Sequence, residues 1–183
     1  MEPSKTSYVI LGMLRLGKRT GYDIKALVDV STRFFWAASY GQIYPELKRL
    51  EEAGLVRGER EAGDARRRKS YLLTPAGEEA LRDWLNSDKP LHDELRHEGV
   101  LKFFFADALV PEEQLALIRR IRAHHEAVGD QLRGIQAVKA TERPENRFPG
   151  LTLEWGIEYQ RRLAEWCAVT EHQLTEELLP DRR

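Results

Sequence analysis

Apolar residues in the first 85 positions fall into four short helical stripes with one alternating stretch between the third and fourth. Tyr8, Ile10, Leu11, Leu14 and Leu16 recur at helical spacing, and Gly17 follows as a stop. Thr20 stands three residues before Asp23, a capping pair, and Ile24, Leu27 and Val28 follow at i, i+3 and i+4. Residues 31–38 hold Phe34, Phe35 and Trp36, a dense aromatic link. The third stripe is SYGQIYPELKRLEEAG, residues 39–54. Ser39 and Gln42 make a Ser-x-x-Gln capping box, Ile43, Leu47 and Leu50 make a buried face, and Gly54 ends the helix. Pro45 leaves two readings open. The helix runs from Tyr40, slightly bent where Pro45 has no amide for the Gly41 carbonyl, or it starts near Tyr44 with the proline in its first turn.

The alternating stretch predicts strands over 55–60 and 69–73, joined by the polar segment 61–68 with Gly63 and Asp64 at its tip. Thr74-Pro75 opens a fourth helix with Leu81, Trp84 and Leu85 as its apolar face. Three helices, a hairpin and a helix is the order of a winged helix-turn-helix. Beyond Ser87 every segment reads as helix. Residues 98–109 are apolar nearly all round, which predicts a buried helix. Pro111 opens a long helix whose Ile118, Ile121, His125, Val128, Leu132 and Ile135 step by three and four, a coiled-coil seam. Residues 139–150 contain two prolines and read as a linker. A last helix over 151–179 carries Trp155, Tyr159, Leu163, Trp166 and Val169 on one side. The fold expected is mainly α. Residues 1–88 form a winged helix-turn-helix with a small β-hairpin wing, and 89–183 an all-α dimerisation domain.

The third helix has the residue types that read a duplex. Gly41 lets backbone approach a phosphate, Gln42 is the type that pairs two-pronged with adenine, and Ser39, Tyr40, Tyr44 and Lys48 suit phosphate oxygens. Arg66, Arg67, Arg68 and Lys69 at the hairpin tip are four consecutive cations, suited to a minor groove or phosphates. Overall charge adds little. Residues 1–88 hold 15 Lys+Arg against 13 Asp+Glu, and 89–183 hold 14 against 17, so contact must rest on local clustering and be weakened by salt.

The second half holds more apolar surface than three helices can hide, which predicts a homodimer. Ile118, Ile121, Val128 and Leu132 of the seam, with Trp155, Tyr159, Leu163 and Trp166, are its candidate contacts, over an interface above about 2,000 Å². Trp36, Phe103, Phe104 and Trp155 are flat enough to flank an aromatic ligand, though such residues are more often core or interface.

Other chemistries find no support. His124 and His125 are adjacent and point apart on a helix, and His92 and His97 lack ligand spacing, so no metal is expected. There is no nucleophile elbow and no glycine-rich phosphate loop, so neither an enzyme nor a cofactor is expected. Cys167 is the only cysteine and is read as an inert helix residue, which suits an intracellular chain. No apolar run approaches a membrane span, and MEPSKTSYVILGML lacks a basic leader region, so it reads as mature sequence in the cytoplasm.

Taken together, YVILGML, GYDIKALV, FFWAASYGQIYPELKRLEEAGLV and RRRKSYLLTPAGEEALRDWL resemble the PadR family of bacterial transcriptional regulators over about the first 87 residues. WGIEYQRRLAEWCAVTE is similar, more loosely, to the longer PadR-type C-terminal domain. The resemblance implies a homodimeric winged-helix repressor on a roughly palindromic DNA operator. It implies DNA contacts by Ser39, Tyr40, Gln42, Tyr44 and Lys48, by Arg67 and Arg68 in the wing, and by Lys5 on phosphate at the start of the first helix. It also implies a dimer made by the C-terminal helices and, in some members, release by a small aromatic effector. The rival expectation is a winged-helix module that binds an acidic protein partner without sequence-specific DNA contact.

Overall fold

The computed structural model describes residues 3–60, 69–91, 96–139 and 147–178. The chain divides into two compact units, Met1–Leu91 and His92–Arg183. The expected wing tip with Arg66, Arg67 and Arg68 lies outside the described residues, as does His92.

In the first unit, α1 is Lys5–Arg15, α2 Gly21–Asp29 and α3 Tyr40–Glu52, then β1 Val56–Arg60, β2 Lys69–Leu73 and α4 Pro75–Leu85. Local chemistry starts each helix. Ser4 Oγ accepts the Ser7 N–H at 3.1 Å and Ser7 Oγ accepts the Ser4 N–H at 3.0 Å, a reciprocal cap for α1. Thr20 and Asp23 do the same for α2. Thr74 Oγ1 accepts the Gly77 N–H at 3.1 Å, and Pro75 takes the first position of α4, where a missing amide costs nothing. Gly17 and Gly54 end α1 and α3 at φ of 84° and 71°, a conformation costly for any other residue.

Ile43, Leu47 and Leu50 of α3 pack on Ile10, Leu11 and Leu14 of α1 and on Ile24 and Val28 of α2. Each such side chain contributes about 1.5–3 kcal/mol on burial. The hairpin pairs Val56 with Leu73 through to Arg60 with Lys69. Thr20 bridges Ser70 on its free edge, and the Tyr71 N–H donates to the Arg19 carbonyl at 2.7 Å, tying the wing to the entry of α2. A Cβ on Gly77 would lie 2.0 Å from the Leu55 carbonyl oxygen, so only glycine lets α4 start this close to β1. The expected apolar face of α4 needs correcting. Leu81 is buried and Trp84 stacks on Tyr8 at 4.6 Å, but Leu85 is 68% exposed.

In the second unit, α5 is Glu98–Phe104, α6 Pro111–Lys139 and α7 Arg147–Leu178, with a short 3-10 turn at Ala106–Ala108. The last two run antiparallel, linked by Arg119 to Glu171 at 2.6 Å and His125 to Gln160 at 2.6 Å, with Gly156 seated against Leu132. Ile118, Ile121, His125 and Leu132 are buried within the chain. The seam is therefore closed by the chain's own α7 and α5, and Ile118, Ile121 and Leu132 are not free to meet a second copy. Cys167 lies fully buried beside Ile118 and Ile121, and burial pushes its thiol up, so it is poorly nucleophilic.

Two further expectations fail here. Residues 98–109 do not form one buried helix: it breaks after Phe104, and Leu101, Phe104 and Phe105 are 59%, 77% and 63% exposed. Residues 147–150 are not linker but the first turn of α7. Pro149 fits there because first-turn amides have no intrahelical acceptor.

A histidine relay joins the three helices. His97 Nδ1 caps α5 by accepting the Val100 N–H at 3.1 Å. That leaves its proton on Nε2, facing His125 Nε2 at 3.0 Å, and His125 donates from Nδ1 to Gln160 Oε1. Both rings must be neutral for every link to hold. Burial holds His125 below its ordinary value near 6.5; the Gln160 bond opposes this, and His97 and His124 add to it. The unfolded chain then takes up the proton more readily, so the contribution to stability is full above that value and lost as the pH falls below it. Between about pH 7.5 and 5.5 the melting temperature of the wild type is expected to fall further than that of His125→Gln, at no more than about 1.4 kcal/mol per pH unit. Parallel declines would exclude His125 as the cause.

Candidate nucleic-acid interface

The helix through Pro45 does start at Tyr40. Gln42 makes this possible: its Oε1 accepts the Ser39 N–H at 2.9 Å and the Ser39 hydroxyl at 3.1 Å. Pro45 gives the Gly41 carbonyl no donor, but Gly41 is exposed and water can serve it. The inner face of α3 is Ile43, Glu46, Leu47 and Leu50. Gly41, Tyr44, Pro45 and Lys48 therefore make an outer face, flanked by Tyr40 on one side and Gln42 on the other.

The two tyrosine rings on this rim lie 6.1 Å apart, 43% and 50% exposed. Lys25 of α2 sits 5.5 Å from the Tyr40 ring and also pairs with Asp29. A Cβ on Gly21 would come within 2.7 Å of the Tyr44 ring, so α2 is tightly docked under the rim. A Cβ on Gly41 would meet nothing nearer than Ser39 Oγ at 3.7 Å, so no packing in the chain requires a glycine there. Lys48 is exposed and 3.6 Å from Glu52, a pair worth little in water. At the wing, Lys69 pairs with Glu51 at 2.5 Å, which ties β2 to the last turn of α3.

Ser39, Tyr40, Gln42, Tyr44 and Lys48 thus share one exposed rim. Lys5 is the exposed residue of the first turn of α1, its Nζ 5.5 Å from the Trp84 ring. Arg67 and Arg68 fall among the residues not described. The rim has one qualification: with its oxygen held by Ser39, Gln42 must release its cap to pair two-pronged with a base.

Of the residues proposed for an aromatic ligand, Phe103, Phe104 and Trp155 of the second unit lie apart from one another in their ring contacts. Phe103 packs edge-on against Trp166 at 5.4 Å, while Trp155 stacks on Tyr159 at 5.6 Å. Trp155 and Trp166 are eleven positions apart, roughly 16 Å along one helix. Phe104 meets Phe105 edge-on and is otherwise open to solvent. Trp36, 42% exposed, belongs to the first unit. A cavity of about 250 Å³ between α6 and α7 is lined instead by charged residues, including Arg122, Glu126 and Arg161. Among the described residues, no cluster of three His, Cys, Asp or Glu could hold a metal, and no helix is long and apolar enough to cross a membrane.

Sequence reasoning missed Glu46. It is 7% exposed on the core side of α3 and accepts hydrogen bonds from Ser4 at 2.7 Å, from Ser7, and from Arg49 at 3.1 Å. Burial alone would raise its carboxyl, but the hydrogen bonds from Ser4, Ser7 and Arg49 and the Arg49 charge hold it below the usual range. The signal was there to read: a carboxylate three residues past Ile43, on the apolar stripe.

Two family models match the chain, the transcriptional regulator PadR-like family over residues 10–83 and the virulence activator alpha C-terminal family over residues 95–175. The chain is 36% identical over 113 residues to the negative transcriptional regulator PadR of Bacillus subtilis, and the match spans 61% of this chain and 62% of that protein. The fold matches B. subtilis PadR bound to operator DNA with a TM-score of 0.80 and 29% identity, covering 92% of this chain and 98% of the other. It matches B. subtilis PadR bound to p-coumaric acid with a TM-score of 0.76 and 28% identity, covering 93% and 95%.

Proposed function

We propose that this chain, whose residues 10–83 match the PadR-like family of transcriptional regulators, is a cytoplasmic repressor that binds a two-fold operator as a homodimer. The α3 rim enters the major groove, with Tyr40, Tyr44 and Lys48 on phosphates and Gln42 on a base edge. Arg67 and Arg68 extend the contact from the wing, and Lys5 adds a phosphate contact from α1. The observation that carries this reading is the rim itself: two half-exposed tyrosines, an exposed lysine and an unobstructed Gly41 on a helix whose other face is core. Its likeness to the DNA-bound PadR supports the same use. The exposed Leu101, Phe104, Phe105, Trp155 and Trp166 of the second unit form the dimer contact. A small aromatic acid is the proposed releasing ligand, on the likeness to the p-coumaric acid complex.

Binding to DNA upstream of the chain's own gene, against a shuffled duplex, tests the reading. Gln42→Ala is expected to reduce the preference for the operator by about 1–3 kcal/mol with little change on shuffled DNA. Lys48→Ala should weaken both duplexes equally and flatten the salt slope by about one. Equal losses on both duplexes for Gln42→Ala would remove it from base reading. A wild type that does not distinguish the two would favour a protein partner instead.

A further inference from the structure

We propose that Glu46 is a positioning residue for DNA binding, which locks the lysine-bearing first turn of α1 onto the recognition helix; this rests on the DNA-binding reading above. A carboxylate is a costly occupant of an apolar stripe. A leucine between Ile43 and Leu47 would hold α3 in the core at least as well, so burial does not account for the charge.

Its partners do. Ser4 is the N-cap of α1 and Ser7 its third residue, and these two start the helix by exchanging hydrogen bonds. Both hydroxyls also donate to one oxygen of Glu46, at 2.7 Å from Ser4 and closer from Ser7. The other oxygen takes Arg49 one turn further along α3. The carboxylate therefore grips the start of α1 rather than its flank, and so sets where that turn, with Lys5 next to the cap, lies along α3. Glu46 itself faces inward, 7% exposed, so its effect on DNA would pass through α1. The cluster borders a cavity of about 110 Å³ lined by Ser4, Ser7, Glu46 and Arg49 with Leu50 and Leu55, so a shorter side chain there loses the grip without overpacking.

The test is a double-mutant cycle on the full-length protein. Operator affinity and its salt slope are measured for wild type, Lys5→Ala, Glu46→Ala and the double variant, with Glu46→Gln alongside. Lys5→Ala and Glu46→Ala are each expected to weaken binding about tenfold, as for one lost hydrogen bond to a charged group. Each should flatten the salt slope by about 0.9, one phosphate. The double variant should be no worse than either single one, because the second change removes a contact already lost. Glu46→Gln keeps an acceptor for both serines and should bind within about threefold of wild type. Losses that multiply, or an unchanged salt slope in Glu46→Ala, overturn the proposal. Should Glu46→Ala fail to fold, Ser7→Ala carries the same cycle against Lys5→Ala with the same two criteria. A wild type that ignores operator DNA sinks the DNA reading and this inference with it, an outcome distinct from multiplied losses.

Discussion

Phe104→Asp is expected to give a chain of 21.2 kDa in solution where the wild type has twice that mass. Phe104 is 77% exposed and its ring contact is to its neighbour Phe105, so little of the chain's own packing depends on it. A charge there costs the fold little but would be buried without a partner in a two-fold interface. The effect on DNA should be larger than the effect on mass. Two linked reading heads bind neighbouring half-sites with an effective concentration that multiplies affinity by about 10²–10⁴. Operator binding should fall by a factor in that range, while binding to an isolated half-site is unchanged. Light scattering with paired binding curves decides it. An unchanged mass would remove this face from the dimer contact.

Leu47→Ala is expected to destabilise the first unit by about 2–5 kcal/mol, since a fully buried leucine in a packed core leaves a cavity. That is a large share of the roughly 5–15 kcal/mol that holds a domain folded. The loss should appear in the unfolding of Met1–Leu91 and leave that of His92–Arg183 in place, because the two units have separate cores. Tryptophan fluorescence during denaturation, read in one background that keeps only Trp36 and Trp84 and in another that keeps only Trp155 and Trp166, separates the two. A single transition that shifts as a whole would mean that the units unfold as one.

The winged-helix half was legible because its signals are local. Caps and stops stand next to the stripes they bound, and β2 matches the alternating run 69–73 residue for residue. Pro45 was the ambiguous point, and the Gln42 cap decided it, since a helix fastened at Ser39 runs through the proline. The second half was less legible because its signals depend on partners. A three-four seam says that Ile118 and Leu132 are buried, but not whether α7 or a second copy covers them. An apolar run such as 98–109 cannot state whether its own chain or another hides it. The His97–His125 contact joins residues 28 apart, and no pattern in either helix reports it. Glu46 is the reverse case: its place on the apolar stripe was visible, but Ser4 and Ser7, its reason for being there, lie a whole helix-turn-helix away in sequence.

Hydroxyl-radical footprinting of the operator, run with the bound mass measured in parallel, is the most direct check on paired reading of DNA. Two protected patches on one side of the duplex are expected, about 34 Å apart, with two chains bound per site. One protected patch held by a single chain, or uniform protection that does not depend on sequence at low salt, would mean that the chain does not read DNA as a two-fold pair.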